Sequence, residues 1–482
     1  MNDPKKDNPK PGRVPFFLLS GLLAATLAAS LHFKGAAMSV SSSLAGSPRP
    51  RSVTSGPVSL TARLNHGAVL SGREGQVELE LVLSAVDRAS GTAAVPTDVL
   101  VVLDRSGSME GEKIAQGRAA VKELIDRLGA RDRFALVSYS DEAELELPLE
   151  TASREAKSRW SQRVRGIEAS GSTNMSAGLD LAYESLRAST DEARAVRVLL
   201  ISDGLANRGD ATPQGLFARA SRFASREQVV STIGVGLDFN EFLMSSLADA
   251  GTGNYYYLEN VTELADVFAR EFSAGRTTVA SGLAVTLEPG EDVEVVDAAG
   301  YPLSRDGRTV VFRPGALFSG QERSVWITYR VPSNALGDYE LGRVSLDYKA
   351  DGEARTLEIS ELATVACVAD EAAFFASVDK DAWEDSVLGE SYGRLKDRIA
   401  RAVHEGNVAA AKEEINAYRT EQEWMNRALG VAGVERNLAE LDELETKVED
   451  AFIGRDQALK QNMLSKTTQS EAAEARRAGS KK

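Results

Sequence analysis

The chain has 482 residues, 43% of them apolar and 26% charged, which is the composition of an ordinary globular protein long enough for two or three domains. A formal net charge of −15 argues against nucleic acid as a partner, because phosphate binding requires a basic face. One cysteine, Cys367, leaves no internal disulfide, thiolate zinc site or iron–sulfur cluster, and His32, His66 and His404 are too few and scattered for a histidine-based metal or acid–base site.

Taken in chain order, residues 1–13 are polar and basic, and residues 14–33 then run without a carboxylate, lysine or arginine. Twenty such residues suffice to cross a bilayer, so they predict a single N-terminal transmembrane helix, with a cleaved signal peptide as the alternative. Lys5, Lys6, Lys10 and Arg13 would stay in the cytoplasm, which places the rest on the exported, periplasmic or cell-surface side. Residues 34–57 are rich in Ser, Pro and Gly and are expected to be a flexible linker.

Residues 58–97 alternate apolar with polar and predict the first strands of a β-sandwich, which residues 275–368 complete. Between them, residues 98–274 alternate short apolar runs ("DVLVVLD", "RFALVSY", "VRVLLISDG", "VVSTIGVG", "NYYYL") with helical stretches. That pattern calls for an α/β fold with a mostly parallel sheet covered by helices on both faces. "AELELPLE", which contains Pro148, reads as an antiparallel edge strand. Residues 369–459 carry apolar stripes at helical spacing and predict a helical hairpin broken at "ALGVAG". Residues 460–482 are polar, end in "RRAGSKK", and are expected to be a disordered basic tail.

In an open α/β sheet, ligands bind beyond the carboxyl ends of the strands. Three of those ends here carry hard oxygen donors: Asp104, Ser106 and Ser108 in "LDRSGSME", Thr173 in "ASGSTNMSAGL", and Asp203 in "LLISDGLAN". Each has a structural alternative. Asp and Ser at a strand–helix junction serve as caps, Thr173 or Asn174 suits the cap of the following helix, and Asp203 with Gly204 suits a plain turn. Their joint appearance on successive loops favours a cation site of Mg²⁺ type, with Mn²⁺ or Ca²⁺ as alternatives.

The set resembles the metal-ion-dependent adhesion site (MIDAS) of the von Willebrand factor A domain, written D-x-S-x-S, then T, then D-G. "GEKIAQGRAAVKELIDRL" resembles that family's first helix, and "STIGVGLDFNEFLMSSLADAGTGNYYYL" its closing strand–helix–strand. The resemblance implies a Rossmann-like six-stranded sheet. It also implies metal ligation by Asp104, Ser106 and Ser108, with Thr173 joining directly and Asp203 acting through water. Outside residues 98–274 the chain is more weakly similar to exported bacterial proteins with an A domain inserted in a β-sandwich. The expected function is a metal-dependent protein–protein interaction module, tethered to the membrane through residues 14–33, that binds an Asp or Glu side chain of its partner. The alternative is an envelope assembly or structural factor working with an AAA-type ATPase. A metal-dependent hydrolase is disfavoured, since the sequence offers no second-metal cluster, histidine base, H-E-x-x-H or glycine-rich phosphate loop.

Overall fold

The computed structural model describes residues 48–88, 96–187, 194–203, 205–237, 239–258, 267 and 278–477. The early strands are β1 (Arg51–Ser55), β2 (Val58–Leu64), β3 (Ala68–Leu70) and β4 (Gln76–Ala85). Strand β1 corrects the expectation of linker through residue 57. It pairs antiparallel with β2 in a hairpin turned at Gly56, whose φ is +55°.

The α/β unit follows: β5 (Thr97–Asp104), β6 (Arg133–Tyr139), β7 (Ala143–Thr151), β8 (Ala195–Ser202), β9 (Gln228–Val235) and β10 (Thr252–Leu258). They form one sheet in the order β10-β9-β8-β5-β6-β7, parallel throughout except for β7, the antiparallel edge strand that contains Pro148. Its helices are α1 (Glu112–Arg127), α2 (Arg154–Arg165), α3 (Met175–Leu186), α4 (Pro213–Ala224) and α5 (Glu241–Ala250). Alternate residues of β5 enter opposite cores. Val99, Val101 and Leu103 pack with Val121, Leu124 and Trp160, while Leu100 and Val102 pack with Leu179, Phe223 and Leu247. All five β5 side chains are fully buried, each contributing about 1.5–3 kcal/mol, so the polar end of this strand is held in place from both faces.

Ten more strands complete the β-structure: β11 (Thr278–Glu288), β12 (Glu294–Ala298), β13 (Ser304–Asp306), β14 (Thr309–Phe312), β15 (Leu317–Phe318), β16 (Glu322–Arg330), β17 (Gly337–Glu340), β18 (Arg343–Ala350), β19 (Glu353–Ile359) and β20 (Thr364–Val368). One sheet runs β1-β2-β4-β16-β12 and a second runs β13-β14-β11-β18-β19, with β15 beside β11. They share a core in which Leu60, Leu79, Leu81 and Leu83 meet Val285, Leu287, Phe312 and Leu346. Strand β4 precedes the α/β unit in sequence and β16 follows it, yet the two are hydrogen-bonded neighbours from Glu322↔Ser84 to Arg330↔Gln76. A smaller sheet, β17-β20-β3, joins the same early and late segments.

The rest is helical: α6 (Glu371–Ala376), α7 (Lys380–Ser386), α8 (Tyr392–His404), α9 (Val408–Leu429), α10 (Ala432–Ala451) and α11 (Gln457–Arg477). Helix α9 ends on Gly430 in the left-handed conformation, inside the expected "ALGVAG" break. Two expectations are corrected. No helix among the described residues is long and apolar enough to cross a membrane, and even the 22-residue α9 carries charges on successive turns. Residues 14–33 lie outside the described residues. The exported, periplasmic or cell-surface position inferred from a membrane helix there is therefore withdrawn.

The second correction is the tail, since residues 460–477 continue helix α11 rather than being disordered. This helix buries polar side chains, Ser465, Lys466, Thr468 and Gln469 among them, and so lacks the apolar stripe that would betray it. Its anchor is Lys466, whose Nζ donates to Glu241 Oε2 at 2.8 Å and to the Phe239 carbonyl at 2.6 Å. Ser465 Oγ lies 2.6 Å and His404 Nδ1 3.1 Å from Glu241 Oε1. Burial alone would push the Glu241 carboxyl up, but the bonds from Lys466 and Ser465 hold it below the usual range.

Replacing Lys466 by Met strands a buried carboxylate, and we expect a loss of about 3–5 kcal/mol in denaturant-unfolding stability at neutral pH. A carboxyl depressed in the folded state contributes stability above its unfolded pKa and loses it as pH falls through the folded value. The gap between wild type and Lys466→Met should therefore narrow on acidification, because protonation relieves the stranded Glu241 of the variant. A gap that stays constant or widens contradicts the assignment.

Candidate metal centre

The site grows from the end of β5. Asp104 is the last residue of that strand and its side chain is wholly buried. Its Oδ1 accepts the Ser106 backbone N–H at 2.8 Å, and its Oδ2 accepts Ser202 Oγ at 2.6 Å and the Tyr139 hydroxyl at 3.3 Å. Burial holds the Asp104 carboxyl above the usual carboxylate range, and the bonds from Ser202 and Ser106 offset that only in part. The Tyr139 phenol is pushed well above its usual range, first by burial and then by the Asp104 charge, so it remains a neutral donor.

Neither serine of the first loop caps a helix with its side chain. Ser106 precedes a short 3₁₀ turn and Gly111 precedes α1, and neither position makes a side-chain cap bond. Instead Ser106 Oγ and Ser108 Oγ lie 3.0 Å apart, and Ser108 Oγ donates to Asp203 Oδ1 at 2.9 Å. Asp203 follows β8 and is also fully buried. Four of the five expected residues, Asp104, Ser106, Ser108 and Asp203, thus form one chain of polar contacts across two strand ends.

The loop that carries Thr173 packs onto the first loop. The Gly107 N–H donates to the Gly171 carbonyl at 3.0 Å, which draws the second loop over the first. Gly171 has φ +79°, and a Cβ there would lie 2.5 Å from Asp141 Oδ2, so only glycine permits this approach. Thr173 is buried and clamped to the third loop by Asn207, which accepts the Thr173 N–H at 2.9 Å and donates its own N–H to the Thr173 carbonyl at 3.1 Å. The capping role belongs to Asn174, whose Oδ1 accepts Ala177 N–H at 3.1 Å, and not to Thr173. Gly204, the second residue of the expected D-G turn, lies outside the described residues.

Residues that sequence reasoning missed hold this arrangement. Ser202 and Tyr139 end the neighbouring strands level with Asp104, and their signal was a polar residue closing an apolar run. Lys113 places Nζ 2.5 Å from Asp203 Oδ2. Its signal was electrostatic, since a lysine in the first turn of a helix opposes the helix dipole unless a carboxylate stands nearby. Among the described residues no group of three or more His, Cys, Asp and Glu is placed to hold a metal; the site offers two carboxylates and otherwise hydroxyls.

Residues 98–270 match the family model described as von Willebrand factor type A domain. The chain is 32% identical over 213 residues to the uncharacterized protein YfbK of Escherichia coli, covering 44% of this chain and 36% of that one. It is 31% identical over 164 residues to human inter-alpha-trypsin inhibitor heavy chain H4, covering 33% of this chain and 18% of that one. It therefore spans only about a third and a fifth of the lengths of these two relatives. Among solved structures, a von Willebrand factor type A protein from Catenulispora acidiphila covers 86% of this chain and 96% of its own, with a TM-score of 0.63 at 18% identity. The ArnB paralog VWA2 from Sulfolobus acidocaldarius covers 88% and 99%, with a TM-score of 0.52 at 18% identity. At such identities these two show likeness of fold, and the likeness reaches well beyond the α/β unit. Residues 98–270 of this chain are a von Willebrand factor type A domain.

Proposed function

We propose that the strand-end site of this domain holds a divalent cation, Mg²⁺ in preference to Mn²⁺ or Ca²⁺, and through it binds a carboxylate of a protein partner. A von Willebrand factor type A domain is in general a protein-interaction module. The observation that carries the finer reading is the arc Ser106–Ser108–Asp203, in which hydroxyls free of any capping duty are lined up with a buried carboxylate. The donor chemistry fits a small, hydrated dication: hard oxygens, only two carboxylates, and neither sulfur nor imidazole. An ammonium, Lys113 Nζ, already lies against Asp203, so this buried pair of acids draws positive charge.

Asp104, Ser106, Ser108, Thr173 and Asp203 would be the holding residues. When bound, the ion supplies an open coordination position for a partner's Asp or Glu. The chain's own side chains do the rest. Tyr139 and Ser202 fix the Asp104 carboxylate, and Asn207 fixes the Thr173 loop. At the rim, half-buried Arg105 is held by Ser138 Oγ at 3.1 Å and stands 3.8 Å from Glu144. Its charge favours an acidic partner surface. Leu205, 54% exposed on the third loop, offers an apolar contact. The arrangement provides attachment without a general base, so we read the protein as a binding module and not an enzyme.

Two measurements test this. Mn²⁺ binding followed by electron paramagnetic resonance, with Mg²⁺ as competitor, should saturate at one site per chain. It should weaken by about tenfold or more in Ser108→Ala and Asp104→Asn, the loss of one charged or ligating contact. Equal binding by wild type and both variants ends the proposal. Separately, crosslinking in native cells should capture a partner that is lost both on chelation and in Ser108→Ala, with the fold intact by circular dichroism. A partner retained under both conditions docks elsewhere.

A further inference from the structure

The two buried acids of the strand-end centre are met by different partners. Asp104 accepts from neutral donors, the Ser106 N–H, Ser202 Oγ and the Tyr139 hydroxyl. Asp203 divides its oxygens between a hydroxyl and a cation. Its Oδ1 accepts Ser108 Oγ at 2.9 Å, next in line to Ser106, and its Oδ2 accepts Lys113 Nζ at 2.5 Å. The hydroxyl arc and the ammonium hold different oxygens of one carboxylate, so neither has to leave for the other to stay.

The needs of its own helix do not put Lys113 there. It lies in the first turn of α1, where the helix dipole opposes a positive charge. Its side chain is 31% exposed, whereas that of Asp203 is wholly buried. The ammonium therefore stands at the edge of the centre, and its charge acts on the centre through a carboxylate that no solvent screens. Asp104 and Asp203 by themselves would cancel a bound dication, leaving a partner's carboxylate no net charge to meet. With Lys113 counted, these groups and the ion carry one positive charge in excess, which a single Asp or Glu of the partner would neutralise. One lysine thus acts on two bindings in opposite senses, repelling the dication and attracting the carboxylate.

We propose that Lys113 tunes this centre for its partner: it weakens the hold on the divalent cation and strengthens the hold of the loaded centre on a carboxylate. The inference rests on the metal-bridged reading given above and adds to it a residue outside the five holding ones, one that selects an acidic partner by charge.

The test compares the full chain with its Lys113→Met and Lys113→Arg variants in two titrations at constant ionic strength. Mn²⁺ binding is followed by electron paramagnetic resonance. Acetate is then titrated into the Mn²⁺-saturated protein and followed by water-proton relaxation, which changes as a carboxylate displaces water from the ion. Lys113→Met keeps the length and apolar stem of the side chain and removes its charge. It should bind Mn²⁺ about tenfold more tightly than wild type, and its loaded form should bind acetate about fivefold more weakly. Lys113→Arg keeps the charge and should return both affinities toward wild type. A purely structural lysine gives a different result, since a misplaced Asp203 weakens both bindings together, and that result overturns the proposal. So does equal affinity of wild type and Lys113→Met for either probe, or a Lys113→Arg variant indistinguishable from Lys113→Met. Absence of saturable Mn²⁺ or acetate binding in wild type overturns the metal-bridged reading, and this inference with it. Mn²⁺ and acetate binding that is lost in Ser108→Ala but indifferent to Lys113 leaves that reading standing and removes only the role of Lys113.

Discussion

A carboxylate with no access to water sits at the end of β5, a strand buried from its second residue onward, and much of the α/β unit is arranged around that fact. Asp104 is affordable there only because three donors, the Ser106 N–H, Ser202 Oγ and the Tyr139 hydroxyl, come to it from three segments. Each donor fixes a piece of backbone. Ser106 turns the first loop away from the strand axis, and Ser202 and Tyr139 lock the ends of β8 and β6 in register with β5. The loops above then have little freedom. Gly107 takes hold of Gly171, Asn207 takes hold of Thr173, and residues from three distant stretches of chain come to share one face.

Asp203 is the second buried acid of that face, and its environment differs. Where Asp104 is met by neutral donors, Asp203 is met by a hydroxyl and by an ammonium. Two acids this close repel, so the Asp203 charge adds to the burial that raises the Asp104 carboxyl. Neutral donors on one and a cation on the other let both persist without solvent.

How much of this was legible in the sequence depended on whether a segment's role was carried by apolar pattern. The α/β unit was readable because Val99 to Leu103 and their counterparts in β6, β8 and β9 are continuous apolar runs, which a sheet covered on both faces requires. The oxygen-bearing positions at the strand ends were readable because polar residues interrupt such runs without an evident reason. Lys113, Tyr139 and Ser202 carry only faint signals, a first-turn lysine and polar residues closing apolar runs, and their roles follow once the fold sets them beside Asp104 or Asp203. Helix α11 was misread for the opposite reason. Its contact face is mostly polar, with Ser465, Lys466, Thr468 and Gln469 beside only Leu464, Ala472 and Ala473, so ion pairing and hydrogen bonding leave little periodic hydrophobic trace. Strand β1 lacks an apolar alternation because three of its five residues are exposed, and it is held mainly by pairing with β2, with Val53 alone packed on the sandwich core.

The placement of α11 has a structural consequence for the site. Residues 236 to 241 connect β9 to α5, and an ammonium stands at each end of that segment. A Cβ on Gly236 would lie 3.6 Å from Lys113 Cε and 3.8 Å from its Nζ, the same Nζ that holds Asp203. At the other end, Lys466 Nζ holds the Phe239 carbonyl and the Glu241 carboxylate, and lies 3.9 Å from the centre of the Phe239 ring. Phe239 in turn fills the space that Gly234 leaves open on β9, where a Cβ would come within 2.2 Å of its ring. Phe239 and Glu241, just before and at the start of α5, are thus both tied to helix α11 through Lys466. A helix from the far end of the chain, polar on its buried face, thus sets the position of a loop that borders the candidate cation site.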